Sequence, residues 1–273
     1  MSRRPPPVER AKRSLGQNFL VDPNLQRKVV EALEAEASDT VLEIGPGHGE
    51  LSSRLLGRVS RLVLVEKDDA LAADLRRRWG DREDVNVVWG DALRVELEAL
   101  LPRTGAYRLL SNLPYNVASP LLFRFLELRP APARMLVTVQ REVAARITAR
   151  PGTKTYGALS VGVQARATAE VVFPIARKAF RPVPEVDSAV VLVLPDAARL
   201  ADLPGPALRR LTRAAFSRRR KQWQKILREA PEYGLGREVV ERLFRELDLD
   251  PRARPETLPP ERFVELARAL EGV

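Results

Sequence analysis

"VLEIGPGHGEL", Val41 to Leu51, begins as a short apolar run and passes at once into Gly45, Gly47 and Gly49. Val41 to Ile44 suits a buried strand, and "ELSSRLLGRV" after the glycines has helical character. A glycine-rich turn at the carboxyl end of a first parallel strand lets a ligand come close to the backbone. The spacing is G-x-G-x-G with Glu43 ahead of it, whereas a dinucleotide fold uses G-x-G-x-x-G to set pyrophosphate on a helix N-terminus. Any tight strand-to-helix turn can use glycine, so the decision falls to what the other strands carry at their ends.

Further apolar runs follow: "LVLV" (62–65), "VNVV" (85–88), "YRLL" (107–110) and "MLVTV" (135–139). The segments between them include "ALAADLRRRW" and "SPLLFRFLEL", the second with Ser119 and Pro120 as helix-start signals. This alternation predicts βαβ units and a doubly wound, mostly parallel α/β sheet. Upstream, "VDPNLQRKVVEALEAE" offers Asp22 as N-cap, Pro23 at the first helical position and Leu25, Val29 and Leu33 on one face. Downstream, "AEVVF" (169–173) and "AVVLVL" (189–194) have no clear helix between them and are expected to pair antiparallel at one side of the sheet. "ALSVGVQA" is read as a helix. Pro195, Pro204, Gly205 and Pro206 mark a linker, after which "REVVERLFRELDL" and "PPERFVELARAL" keep helical spacing. The expected organisation is a basic segment at 1–28, an α/β domain at 29–198 and a small basic helical domain at 199–273.

The chain has 273 residues, 45% of them hydrophobic and 30% charged, which suits a soluble globular protein with a sizeable core. No apolar run reaches the roughly 20 residues of a membrane span, and the N-terminal "MSRRPPPVERAKRS" lacks the apolar stretch of a secretory signal. A cytoplasmic protein with no membrane partner is expected. With no cysteine and a single histidine, His48, neither a Cys/His metal centre nor a Ser-His-Asp triad is expected, and His48 is read as exposed on its loop. The net charge of +10 is concentrated. Residues 205–228, "GPALRRLTRAAFSRRRKQWQKILR", hold seven Arg and two Lys with no acid, and residues 1–28 add seven basic residues against two acidic ones. Such a run, read as helical, points to a polyanion rather than a self-balanced helix face. Arg209, Arg210, Arg213, Arg218, Arg219, Arg220, Lys221 and Lys225 are the expected contacts to that polyanion.

Each strand end then adds a group suited to a nucleoside. Glu66 closes the second strand, where a carboxylate can accept both hydroxyls of a ribose. Asp91 follows the third, where a carboxylate can accept from an adenine amine. "SNLPYN", Ser111 to Asn116, closes the fourth. This order resembles the class I S-adenosylmethionine-dependent methyltransferases, Rossmann-like in fold, and Asn-x-Pro-Tyr is similar to those that methylate exocyclic amines. An aromatic amine is a poor nucleophile because its lone pair is delocalised into the ring. If the Asn112 side-chain oxygen and the Leu113 carbonyl accept its two N–H bonds, the lone pair can be aimed at a sulfonium methyl. Pro114 then fixes the turn and Tyr115 stacks on the base.

The resemblance is closer than the class. "KRSLGQNFLVD", "EIGPGHGELS", "VEKD", "GDAL", "NLPYNVASPLL", "VQREVAARI", "YGALSVGVQ" and "AFRPVPEVDSAVV" occur in the order and spacing of the KsgA-type ribosomal RNA adenine dimethyltransferases. The resemblance runs from Lys12 to Leu194 and continues more weakly at "FSRRRKQWQKIL". It implies methyl transfer from S-adenosyl-L-methionine to two adjacent adenines near the 3′ end of small-subunit rRNA, in ribosome biogenesis. A monomer acting on small-subunit rRNA within a partly assembled ribosomal subunit is expected. Gln17, Asn18 and Leu20 would form a lid over the cofactor. Gly45, Gly47, Glu66, Lys67, Asp91, Ala92 and Asn112 would make the other cofactor contacts, and Phe180 would face Tyr115 across the target base. His48 and Ser111 depart from the residues more common in the family. Alternatives stay open: a large-subunit adenine dimethyltransferase of the antibiotic-resistance type, an inactive nucleic-acid-binding relative, and an NAD-dependent dehydrogenase, the last disfavoured by the glycine spacing.

Overall fold

A computed structural model of the chain describes residues 16–102 and 106–272. The basic residues as far as Arg13 therefore lie outside the described residues. The chain enters through a two-residue strand, β1 (Phe19–Leu20), and α1 (Pro23–Ala32). Asp22 caps α1 as its spacing predicts, its carboxylate accepting from the Asn24 and Leu25 amides. Then come β2 (Thr40–Ile44), α2 (Ser52–Leu55), β3 (Arg61–Glu66), α3 (Asp69–Trp79), β4 (Val85–Trp89), β5 (Tyr107–Asn112), α4 (Ala118–Leu126) and β6 (Arg134–Gln140). The helix expected over "ELSSRLLGRV" is a single turn, α2. A further group follows: α5 (Arg141–Ile147), α6 (Ala158–Gln164), β7 (Ala167–Ile175), β8 (Phe180–Arg181) and β9 (Ser188–Pro195).

Seven strands form one sheet in the order β4-β3-β2-β5-β6-β9-β7. The first five are parallel, β9 runs antiparallel to β6, and β7 pairs antiparallel with β9 at the edge. Successive side chains of a strand point to opposite faces, and here both faces are covered. Leu42, Ile44, Val63, Val65, Leu109 and Val137 pack with Leu121, Leu122 and Phe125 of α4. Val41, Leu62, Leu64, Leu110 and Leu136 pack on the other face with Val29 and Leu33 from the α1 region and Leu75 of α3. The near-continuous apolar runs follow from this double burial.

The rest is helical: α7 (Ala197–Ala201), α8 (Gly205–Ser217), α9 (Trp223–Glu229), α10 (Arg237–Glu246) and α11 (Pro260–Ala269). Leu208, Leu211, Trp223, Ile226, Phe244 and Phe263 build a separate apolar cluster, which also takes in Ala149, Tyr156, Val161 and Ala165 from before the linker. The boundary expected at 198/199 falls inside α7, and the helical unit's core recruits α6 from across it. Arg166 secures this junction. Its buried guanidinium donates to the Gly162 carbonyl at 2.7 Å and lies 3.8 Å from the Glu127 carboxylate at the end of α4.

Candidate active site

Register brings the strand ends together. Ile44 is level with Val65 on one side and Ser111 on the other, and Glu66 is level with Trp89. From β2 the chain moves outward to β3 and β4, then crosses back to β5 on the opposite side, so the crevice beyond β2 is the topological switch point where open α/β sheets bind ligands. A cleft lies there. Gly45, Gly47, Glu66, Lys67, Asp91, Ala92, Asn112, Leu113, Pro114 and Tyr115 all line it, and so do Gln17 and Asn18 from the N-terminal segment.

The glycine turn has two distinct uses of φ. Gly45 has φ +70°, lines the cleft, and a Cβ on it would meet no protein atom within 4 Å, so bare backbone faces the opening. Gly47 has φ +61°, and a Cβ there would come within 2.8 Å of the Phe19 ring, so the turn and the N-terminal segment pack as closely as glycine permits. Glu66 is buried, with Oε2 accepting from the Gly47 amide at 3.0 Å and Oε1 from the Asp68 amide at 2.8 Å. Burial raises its pKa, and the backbone donors pull the other way. Asp91 accepts from the Leu93 amide at 3.0 Å and pairs with Lys67 at 2.8 Å, which lowers its pKa. Across the cleft, the Asn112 Nδ2 donates to the Asn18 carbonyl at 2.8 Å. The Leu113 amide donates to the Thr138 carbonyl at 3.0 Å, and the Tyr115 hydroxyl lies 2.6 Å from that of Ser188.

Some residues fall elsewhere. Leu20 does not line the cleft; β1 pairs antiparallel with β8, Leu20 opposite Phe180, and both side chains join the apolar layer beneath α1. Phe180 is fully buried there and is not among the residues that line the cleft. Phe19, between Asn18 and Leu20, is the strand residue that borders the cleft. Strand alternation could have found it, had a two-residue strand been legible. His48 is half-buried rather than exposed, its ring 4.5 Å from that of Phe19. Asn116, Leu93 and Val117 also line the cleft with no signal in their spacing.

The basic run is corrected as well. α8 ends at Ser217, and Arg218 to Lys221 form a turn before α9 rather than a helix face. Arg209 pairs with Glu127, and Arg219 pairs with Glu256 while donating to the Thr153 and Lys154 carbonyls. Arg218 faces Glu232 at 3.9 Å, Lys225 faces Glu229 at 3.6 Å, and Arg210 lies over the Tyr233 ring. Arg213, Arg220 and Lys221 are exposed, with no ion pair among the described residues.

A mostly parallel sheet with a bare glycine turn after its first strand, carboxylates at the ends of the next two strands and Asn-Leu-Pro-Tyr closing the strand on the other side of the turn defines a class I methyltransferase. The family model for ribosomal RNA adenine dimethylase matches residues 8–270, and the chain belongs to that family. It is 38% identical over 264 residues to ribosomal RNA small subunit methyltransferase A of Geobacter metallireducens, covering 96% of each chain. It is 40% identical over 259 residues to the protein of the same name from Phenylobacterium zucineum, covering 95% of this chain and 88% of that one. Among solved structures, a dimethyladenosine transferase from Plasmodium falciparum shares the fold with a TM-score of 0.79 at 24% identity, over 91% of this chain and 95% of that one. The 23S rRNA methyltransferase ErmE gives a TM-score of 0.67 at 27% identity, over 93% and 99%. The chain is an S-adenosylmethionine-dependent rRNA adenine dimethyltransferase. Its cleft fits that methyl donor, because an open glycine backbone and two carboxylate acceptors are what a nucleoside with free hydroxyls and an amine requires.

Proposed function

We propose that this enzyme dimethylates two adjacent adenines near the 3′ end of small-subunit rRNA, as a cytoplasmic monomer acting on a partly assembled subunit. One observation carries the chemistry. The Asn112 amide group is committed by its Nδ2 to the Asn18 carbonyl, so its other end, Oδ1, remains a pure acceptor beside the Leu113 backbone in the cleft. The choice of small-subunit RNA is supported by the relatives, which carry that substrate in their names across nearly the whole chain.

Glu66 accepts from the ribose hydroxyls of the methyl donor, and Asp91 accepts from its adenine amine, while Lys67 keeps Asp91 ionised. Gln17 and Asn18 close the cleft from above the glycine turn, and Ala92 contributes an apolar wall. Bound there, S-adenosylmethionine supplies an electrophilic methyl group on a positively charged sulfur. Asn112 Oδ1 and the Leu113 carbonyl accept the target amine's N–H bonds and hold its lone pair out of conjugation. Pro114 keeps those two acceptors adjacent, and Tyr115 stacks on the extruded base. Attack makes the amine nitrogen cationic and acidic enough to release its proton to water, so alignment by these residues matters more than a general base.

RNA is gripped by three loops that meet around Arg219. Its guanidinium bonds to the 153–154 loop and to Glu256, and the Trp223 and Gln224 amides donate to the Ala253 and Pro251 carbonyls at 3.0 and 2.9 Å. Exposed Lys154, Arg220, Lys221, Arg252 and Arg254 ride on these loops, a cationic surface suited to phosphates. The test is to incubate the enzyme with labelled S-adenosylmethionine and with small or large subunits lacking the modification, then map the label. Label on two adjacent small-subunit adenines is expected; label confined to the large subunit overturns the reading.

A further inference from the structure

We propose that Ser188 is a positioning residue for methyl transfer, acting through the hydroxyl of Tyr115; this rests on Tyr115 being the ring that stacks on the target base. Asn112 and Leu113 are each fastened from outside the loop, by the Asn18 and Thr138 carbonyls. Tyr115 sits in the irregular stretch between β5 and α4, where no strand ladder holds its backbone. Left there, its ring could swing about the Cα–Cβ bond. A stacking surface works only where the base is presented, so something must hold the ring in place.

Ser188 supplies that restraint. It begins β9 and is fully buried, and its backbone is held on both sides, level with Gln140 of β6 and Ile175 of β7. The neighbouring Asp187 fixes the approach to the strand, its carbonyl accepting from the Arg141 amide at 2.9 Å and its carboxylate from the Arg177 amide at 3.0 Å. The Ser188 hydroxyl is therefore among the least movable polar groups near the cleft, and it lies 2.6 Å from the Tyr115 hydroxyl, 73 residues away in the chain. Burial also raises the Tyr115 pKa, which keeps the phenol protonated at neutral pH. The contact is at the far end of the ring, on the Cβ–Cζ axis, so it stops the ring swinging about the Cα–Cβ bond and fixes where the ring lies. "DSAVV" is thus more than a sheet strand: its serine sets the position of the base platform.

The test is a double-mutant cycle read by single-turnover methyl transfer to unmethylated small subunits, using Ser188→Ala, Tyr115→Phe and the double variant. Each removes one partner of the same hydrogen bond, and Tyr115→Phe keeps the ring. A loss of about tenfold in the transfer rate is expected for each single variant, with the double no slower than either. Affinity for S-adenosylmethionine and for RNA should stay at the parent values, which a general packing defect would not allow. Additive losses, a parent-like rate for Tyr115→Phe, or a matching fall in cofactor affinity for Ser188→Ala would overturn the role of Ser188. Should Ser188→Ala fold poorly, Tyr115→Phe, on an irregular loop, still decides. Tyr115→Ala separates the two layers: a parent-like rate there overturns the base platform itself, whereas a slow Tyr115→Ala with an additive cycle overturns only the tether.

Discussion

At Asn112 one amide serves two partners of opposite polarity. Its nitrogen is tied to the Asn18 carbonyl at 2.8 Å, and its oxygen is the acceptor offered to the cleft. Asn112→Ala removes both, so methyl transfer should fall roughly a hundredfold or more while RNA affinity stays within about tenfold. Single-turnover kinetics beside a binding titration would show near-normal transfer if the amide did not align the amine. A second carboxylate, Glu43, matters for stability instead. It is buried beneath the glycine turn and accepts from the Ser52 hydroxyl at 2.6 Å. Burial pushes its pKa from 4.5 up to about 8, with the Ser52 bond opposing and the charges of Glu50 and Glu66 adding. A raised pKa means the folded state holds this proton more tightly than the unfolded chain does. The stability it contributes is complete below pH 4.5 and is lost as pH rises through about 8. Melting curves across that window should fall more steeply for the parent than for Glu43→Gln; equal slopes would show that Glu43 ionises normally.

Among the elements, the turn from Arg218 to Lys221 departs most from its sequence. Four consecutive cations look alike in a string, but the end of α8 at Ser217 sends them in different directions. Arg219 turns inward to Glu256 and to two backbone carbonyls, while Arg220 and Lys221 stay exposed. Arg219→Ala should therefore lower the melting temperature by several degrees, as expected for losing a junction worth about 1 to 2 kcal/mol, and Arg220→Ala should leave it within about a degree. Equal melting temperatures would show that Arg219 does not join the three loops. The two-residue pair of β1 and β8 teaches a related lesson. Neither strand is long enough to show a period, so nothing local indicates that Leu20 and Phe180 turn into the core while Phe19 meets the cleft.

Over the whole molecule, the cationic loops and the cofactor cleft are built on separate apolar clusters, and they should respond independently. Replacing Lys154, Arg220 and Lys221 with Ala should reduce the slope of log RNA affinity against log salt by roughly 2 to 3, because each phosphate left without its contact retains its counterions. S-adenosylmethionine affinity should not change, and parallel salt plots for parent and variant would remove this surface from the RNA interface. The division of labour between sequence and structure follows the range of the forces involved. The α/β alternation, the glycine turn and the strand-end residues Glu66, Asp91 and Asn112 to Tyr115 were legible, because period, turn chemistry and strand termini are local, and a parallel sheet gathers its carboxyl ends on one edge. The inward turn of Phe180 and Leu20, the neutralisation of Arg209 and Arg219 by distant acids, and the Ser188 tether on Tyr115 were not. Each depends on which surfaces meet after the chain has folded, and the partners stand 73 residues apart for Ser188 and Tyr115 and 82 apart for Arg209 and Glu127. Only packing brings such groups within hydrogen-bonding distance, so only the tertiary structure could decide them.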